Sequence, residues 1–271
     1  MLVSIIIPTT NEEANIGKNL ESVKKQTYLG EKEIIIVDKF STDGTVEIAR
    51  RYTDKIFTTG PERSAQRNFG LAKAAGQYCL FLDADMTISP DLIKECVEIM
   101  ENNSQLVGLY IPEIISGGGF WVKVRRFERS FYDSTVIDGL RFLKTEAVKK
   151  IGGFDEKLYA AEDWDLDKRL KKLGGTAITK SPLFHNEAGF SLKKYLRKKR
   201  YYIANFDAYI KKWGKDDQDI RKQFSVWYRY FGVFLEYGKW KKLLSHPILA
   251  IAMYFLRFLV GVNFILRKID G

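Results

Sequence analysis

Along the first hundred positions, apolar residues fall in short unbroken runs instead of helical stripes, and the runs stop at a proline or an acid. Val3-Ser4-Ile5-Ile6-Ile7-Pro8 and Glu33-Ile34-Ile35-Ile36-Val37-Asp38 are β-branched and too short for helices, which predicts strands buried on both faces. Asn11-Glu12-Glu13 opens a predicted helix reaching Gln26, and Ser41-Thr42-Asp43-Gly44-Thr45 supplies turn and cap residues before a second, Val46 to Tyr52. Lys55 to Thr58 reads as a third strand, Ser64 to Ala75 as a helix and Tyr78 to Leu82 as a fourth strand. Alternating strands and helices predict a parallel, Rossmann-like layer.

Further on, Leu92, Cys96 and Ile99 recur at helical spacing within Asp91 to Glu101, which predicts a scaffold helix packed on the sheet. Leu106 to Ile111 and Gly139 to Lys144 read as strands, and Thr145 to Ile151 as a short helix closed by Gly152-Gly153. Ser116-Gly117-Gly118-Gly119 breaks regular structure before the aromatic and basic stretch Phe120 to Phe127. Two readings of that stretch stand side by side: a glycine-hinged acceptor-binding element or lid, or a helix that covers the sheet. Thr176 to Ile178 is the last predicted strand.

Composition changes this picture at one place. The chain has 271 residues and a formal net charge of +10. From Ser191 onward there are 18 Lys and Arg against 6 Asp and Glu, and before it 26 against 28. The basic character therefore belongs to the tail, dividing the chain into an expected catalytic domain, 1–190, and a helical basic tail, 191–271. The two cysteines, Cys79 and Cys96, lack ligand or bridge spacing and read as reduced core residues. Met1 to Ser4 runs straight into a strand, so no leader is expected and the catalytic part is expected in the cytosol.

The chemistry gathers at strand ends. Asp83-Ala84-Asp85 follows the fourth strand, where open α/β sheets bind ligands, and paired carboxylates there suit a hard divalent cation held against a diphosphate. Helix capping ahead of Ser89-Pro90-Asp91 explains acids equally well. Glu162-Asp163 stands where a helix begins, a position the macrodipole favours for acids without any catalysis. His185 follows the last predicted strand, and Arg63 reads as helix-surface charge.

Taken together, Ser4-Ile5-Ile6-Ile7-Pro8 with Asn11-Glu12-Glu13, Ile36-Val37-Asp38 with Ser41-Thr42-Asp43-Gly44-Thr45, Arg67-Asn68-Phe69-Gly70, Asp83-Ala84-Asp85, and Gly152-Gly153-Phe154-Asp155 followed by Glu162-Asp163 resemble the family 2 glycosyltransferases. The resemblance spans residues 3 to 186. It implies a GT-A fold, a mostly parallel sheet flanked by helices, and a nucleotide-sugar donor. Carried over by position, it implies that Pro8, Thr10, Glu12 and Asp38 surround the nucleoside, that Arg67 reaches the donor and that Asp83 lies near the ribose. It further implies that Asp85 and His185 ligate Mn²⁺ or Mg²⁺, and that Asp163 is the general base of an inverting transfer. The second acid usual after Val37-Asp38 in the family is Lys39 here.

In the tail, Lys193, Lys194, Arg197, Lys198, Lys199 and Arg200 interleave with Tyr195, Tyr201 and Tyr202, and an apolar run follows from Ile248 to Val262. Bases with aromatic anchors suit an anionic membrane interface, and the greasy run argues against nucleic acid as the partner. Arg257 near the middle of the run disfavours a span, so an interfacial or re-entrant helix is expected, with packing onto the catalytic domain as the alternative. The processive synthases' Gln-x-x-Arg-Trp motif is missing. The expectation is a single-sugar transfer at the cytoplasmic face of a membrane, from a UDP- or GDP-linked sugar to the hydroxyl or phosphate of a lipid-linked or membrane-associated acceptor. A sugar-1-phosphate nucleotidyltransferase and a non-catalytic membrane-binding module are the alternatives.

Overall fold

A computed structural model describes the backbone of residues 1–270 and side-chain surroundings through Val262; Gly271, the last residue of the tail, lies outside the described residues. Four strands, β1 (Val3–Thr9), β2 (Lys32–Asp38), β3 (Ile56–Thr58) and β4 (Tyr78–Phe81), run parallel in the order β3-β2-β1-β4. Helices α1 (Glu13–Lys24), α2 (Thr45–Ala49) and α3 (Arg63–Lys73) connect them. Both faces of β1 are buried. Ile5 and Ile7 join a core with Ile16 and Leu20 of α1, whereas Ile6 joins Leu71 of α3 on the opposite side. An alternating polar pattern is therefore absent from this strand.

Next come β5 (Met86–Ile88), α4 (Leu92–Asn102), β6 (Leu106–Tyr110), β7 (Glu113–Ser116) and α5 (Phe120–Arg129). They are followed by β8 (Phe142–Lys144), α6 (Thr145–Lys150), α7 (Glu162–Leu170), β9 (Gly175–Ile178) and β10 (Leu183–Asn186). The main sheet continues past β4 as β8-β6-β9, with β8 antiparallel to both neighbours. This is a mostly parallel α/β layer flanked by helices, as the sequence predicts.

The sequence reading contains no second sheet, yet β5, β10 and β7 form one. Their three or four residues each are too short to carry a visible period. β10 pairs antiparallel with β5 and parallel with β7, so that His185 stands opposite Met86 on one side and Ile115 on the other. This small sheet carries His185 to the end of β4.

The tail comprises α8 (Leu192–Trp213), α9 (Gln218–Phe224), a π-helical turn at Tyr228–Gly232, α10 (Val233–Leu235), α11 (Trp240–Ser245) and α12 (Pro247–Asp270). One face of α12 packs into a core shared with α5, where Met253 and Leu256 meet Val124, Phe127 and Phe131. Within the apolar run, Arg257 is buried and directed inward. It donates to Glu128 Oε1 at 2.7 Å and to the Tyr132 hydroxyl at 2.6 Å. Burial would raise the Glu128 carboxyl, but Arg125 and Arg257 hold it down at about 2. An apolar core and a buried ion pair thus cross the expected boundary at residue 190. The Phe120 to Phe127 stretch is the helix beneath this core. Among the described residues no helix is long and apolar enough to cross a membrane.

Candidate active site

The carboxyl ends of β1, β2 and β4 bring the predicted residues to one side of the sheet. Pro8 lies within β1, opposite Val37. Thr10 is exposed and donates its hydroxyl to the Lys39 carbonyl at 3.0 Å. Glu12 accepts from Asn15 at 2.7 Å, and its carboxyl is raised by burial and by the nearby charges of Asp85, Asp43 and Asp83. Asp38 is buried at the end of β2, and its two carboxylate oxygens accept from the backbone N–H and hydroxyl of Ser41. That carboxylate shapes the turn carrying Lys39 and is not presented free.

Beyond β4 the acids are held by arginines in an alternating chain. Asp163 Oδ1 lies 2.7 Å from Arg67 Nη1, and Arg67 Nη2 lies 2.8 Å from Asp83 Oδ1. Asp83 Oδ2 is 3.7 Å from Arg141, which is 3.2 Å from Glu113. Glu113 Oε1 meets His185 Nδ1 at 2.8 Å, and His185 Nε2 meets Asp85 Oδ2 at 3.1 Å. Seven side chains from six stretches of the chain form one continuous network.

Its charges are consistent with this order. Burial opposes ionisation of Asp83, yet Arg67, with Arg63 and Arg141 beyond it, holds that carboxyl well below the carboxylate range. Glu113 is also buried and is depressed by Arg129, His185 and Arg141. Glu162 goes the other way, raised by burial and by Asp163 beside it. His185, although burial opposes its charge, is pushed up to about 10 by Asp85 and Glu113.

Local structure explains how the motifs build this network. Ala161, immediately before α7, has a left-handed backbone at φ 61°, a costly conformation for a non-glycine residue, and it starts the turn bearing Glu162 and Asp163. Across from them, a Cβ on Gly139 would stand 3.0 Å from that of Asp163, so the glycine leaves room for the carboxylate. In Arg67-Asn68-Phe69-Gly70, Arg67 takes the acids and Asn68 exchanges hydrogen bonds with the backbone of Phe154, tying α3 to the Gly152-Gly153-Phe154-Asp155 loop. Gly70 permits close approach, since a Cβ there would meet Ile6 at 2.4 Å.

Besides Asp38, three arginines stand differently from the sequence reading. Arg67, expected at the donor, is 1% exposed, its guanidinium enclosed by Asp83 and Asp163. Its part in this geometry is to hold two acids together. Arg63, read as helix-surface charge, pairs with Glu162 at 2.6 Å and lines a cavity beside it. Arg141 falls within a predicted strand, where an arginine in an apolar run is itself a signal of a buried partner. Glu113 carried none.

For a divalent ion, the donor set is a carboxylate oxygen and an imidazole nitrogen that face each other, with Glu113 fixing the other ring nitrogen. Among the described residues no cluster of three or more His, Cys, Asp or Glu holds a metal by itself. The pair therefore fits an ion that takes its remaining ligands from phosphates and water, as Mg²⁺ and Mn²⁺ do at nucleotide sites.

The layered sheet, with acids gathered at its strand ends, has the GT-A fold. The family model "Glycosyl transferase family 2" matches residues 4–156, and the chain belongs to that family. It is 29% identical over 191 residues to the glycosyltransferase AglE of Haloferax volcanii, a match covering 64% of this chain and 62% of the relative. It is 29% identical over 181 residues to the poly(ribitol-phosphate) beta-N-acetylglucosaminyltransferase TarS of Staphylococcus aureus, covering 60% of this chain and 31% of that one. The chain thus spans less than two thirds of either relative. Among solved structures, the mannosyltransferase PcManGT from Pyrobaculum calidifontis in complex with GDP-Man and Mn²⁺ superposes with a TM-score of 0.64 at 18% identity, over 98% of this chain and 87% of that one. S. aureus TarS 1–349 in complex with UDP-GlcNAc gives 0.56 at 20%, over 97% and 89%. Family membership argues against the nucleotidyltransferase.

Proposed function

We propose that this chain transfers a single sugar, with inversion, from a UDP- or GDP-linked donor to a hydroxyl of a membrane-associated acceptor. The observation carrying this reading is the network that joins Asp163 at one end to the Asp85–His185 pair at the other. Asp163 takes the proton of the acceptor hydroxyl as its oxygen bonds to the anomeric carbon. The bond from that carbon to the diphosphate oxygen breaks with its electron pair. Asp85 and His185 would hold Mn²⁺ or Mg²⁺, which when bound supplies positive charge to the departing diphosphate. Support for a metal and for these donors also comes from the GDP-Man and Mn²⁺ complex of PcManGT and the UDP-GlcNAc complex of TarS.

Hydrolysis of UDP- and GDP-sugars by the purified protein, with and without Mn²⁺, tests the reading. Asp85→Ala is expected to abolish metal-dependent nucleotide binding, and His185→Ala to weaken Mn²⁺ by about tenfold to a hundredfold. Metal-dependent binding of wild-type strength in Asp85→Ala would take that residue out of the site, and unchanged Mn²⁺ affinity would do so for His185.

Membrane attachment at the cytoplasmic face belongs to the same proposal. The face of α12 turned from the core exposes Ile248, Ile251, Phe255 and Phe258, a single stripe at helical spacing. Trp227, Phe231, Trp240 and Leu244 add exposed apolar surface, and the tail carries the excess of bases. Such a surface suits a peripheral contact, with headgroups meeting the bases at about 1 kcal/mol each and the rings at the polar boundary. Flotation with phosphatidylglycerol vesicles is expected at low salt, with partial retention at high salt. Ile251→Ser with Phe255→Ser should lose the salt-resistant part. Recovery of the wild-type chain only in the unbound fraction, at low salt, would remove the membrane from the reading.

A further inference from the structure

A cavity of about 650 Å³ opens beside the acidic pair, between two distant parts of the chain. One wall is the start of α3 with Leu158, Tyr159 and Glu162. The other is a single face of α8, where Lys194, Arg197, Lys198, Tyr201 and Tyr202 recur at positions three and four apart.

The charge on this lining is unbalanced. Arg63 is already paired with Glu162, and Glu62 lies 3.8 Å from Lys39. Lys194, Arg197 and Lys198 have no carboxylate partner among the described residues. On a convex surface three such cations would simply be solvated. Here all three are exposed to solvent but share a concave wall with tyrosines, where their mutual repulsion is relieved when an anion stands between them.

Position indicates which anion. Glu162 lines this cavity, whereas Asp163, the next residue, lines a recess of about 30 Å³ with Arg67, Gly139 and Arg141. Neither Asp85 nor His185, the pair proposed for the donor's diphosphate, lines this cavity. The α8 cations are therefore left for a second anion, approaching from the side of the base.

We propose that the α8 face of this cavity binds a phosphate group carried by the acceptor, with Tyr159 and Tyr201 packing against the organic part next to it. This rests on the transferase reading above, and it narrows the acceptor to a phosphorylated compound. A soluble phosphorylated sugar or polyol and a lipid-borne phosphate present the same chemistry.

The test uses the full chain, phenyl phosphate as a soluble probe, and phosphatidylcholine vesicles with or without phosphatidic acid. Lys194→Gln, Arg197→Gln and Lys198→Gln together should weaken phenyl phosphate at least about tenfold, since charge-assisted hydrogen bonds are lost. Lys94→Gln, Lys211→Gln and Lys215→Gln, which remove equal charge elsewhere, should change it by less than about twofold. Binding of phosphatidic acid vesicles alone, with the same dependence on the α8 residues, assigns the phosphate to a lipid. Equal binding by both triple variants, no binding of either probe, or displacement of phenyl phosphate by UDP with Mn²⁺ overturns the proposal. If the α8 triple variant does not fold, Arg197→Gln alone should weaken phenyl phosphate by about threefold, and wild-type affinity there overturns it too. Absent donor hydrolysis with phosphate binding intact counts against the transferase reading; intact hydrolysis without phosphate binding counts against the acceptor site.

Discussion

Asp163→Asn is expected to lower sugar transfer by about a thousandfold while leaving donor affinity within about threefold, because general-base catalysis typically contributes about 10²–10⁴ in rate. Asparagine keeps a carbonyl oxygen where Asp163 Oδ1 accepts from Arg67 at 2.7 Å, so the side chain retains its anchor. What it loses is the second carboxylate oxygen as a proton acceptor. Donor hydrolysis should fall in parallel, since water then stands in for the acceptor. The competing role for this acid is to favour the first turn of α7 through the helix dipole, worth only about 0.3–1 kcal/mol. Single-turnover transfer and nucleotide titration separate the two: turnover near wild type would remove Asp163 as the base, and a loss of folding with little change in specific activity would leave only the helix role.

The parallel layer was legible because its strands are buried on both faces, so Ile5, Ile6 and Ile7 form one unbroken apolar run whichever core each joins. Asp38, Asp83 and Asp85 were legible because they sit at the ends of such runs. The small sheet was not, and with it went the reason for His185 to be near Asp85. Three residues of strand leave no period to read, and pairing between positions a hundred apart is a property of the fold. Arg67 illustrates the same limit. Its motif marks it as functional, but whether a guanidinium faces a ligand or two neighbouring carboxylates depends on where α7 returns to the sheet. The tail was legible in composition alone. Its apolar residues divide between a buried face at Met253 and Leu256 and an exposed one at Ile251 and Phe258, and no count of hydrophobic residues makes that division.

Arg67→Met should be the most damaging single change in the site. The guanidinium is almost wholly buried, spans Asp83 and Asp163, lies 3.8 Å from Glu162, and stacks over the Phe154 ring at 5.1 Å. Methionine retains much of the apolar contact but leaves Asp83 and Glu162 without their shared counter-charge. Breaking a buried pair by removing one partner costs about 3–5 kcal/mol, because the other charge stays behind. At about 2–4 °C per kcal/mol for a chain near this size, the melting temperature at neutral pH should fall by about 6–20 °C. The pH dependence gives the change a signature. In the wild type the depressed Asp83 carboxyl contributes stability above the unfolded value of 3.8, and this is lost as pH falls further. Without Arg67, Glu162, already raised by burial and by Asp163, loses one of the two arginines that hold it down and rises further, so the variant gains stability on protonation as pH falls. The gap between the two melting temperatures should therefore narrow from pH 7 toward pH 4.5. Transfer should be lost even where the variant is folded, because Asp163 no longer has a partner fixing its position. Melting curves that stay within about 2 °C of wild type at neutral pH, or a gap that widens on acidification, would mean that Arg67 does not neutralise these acids.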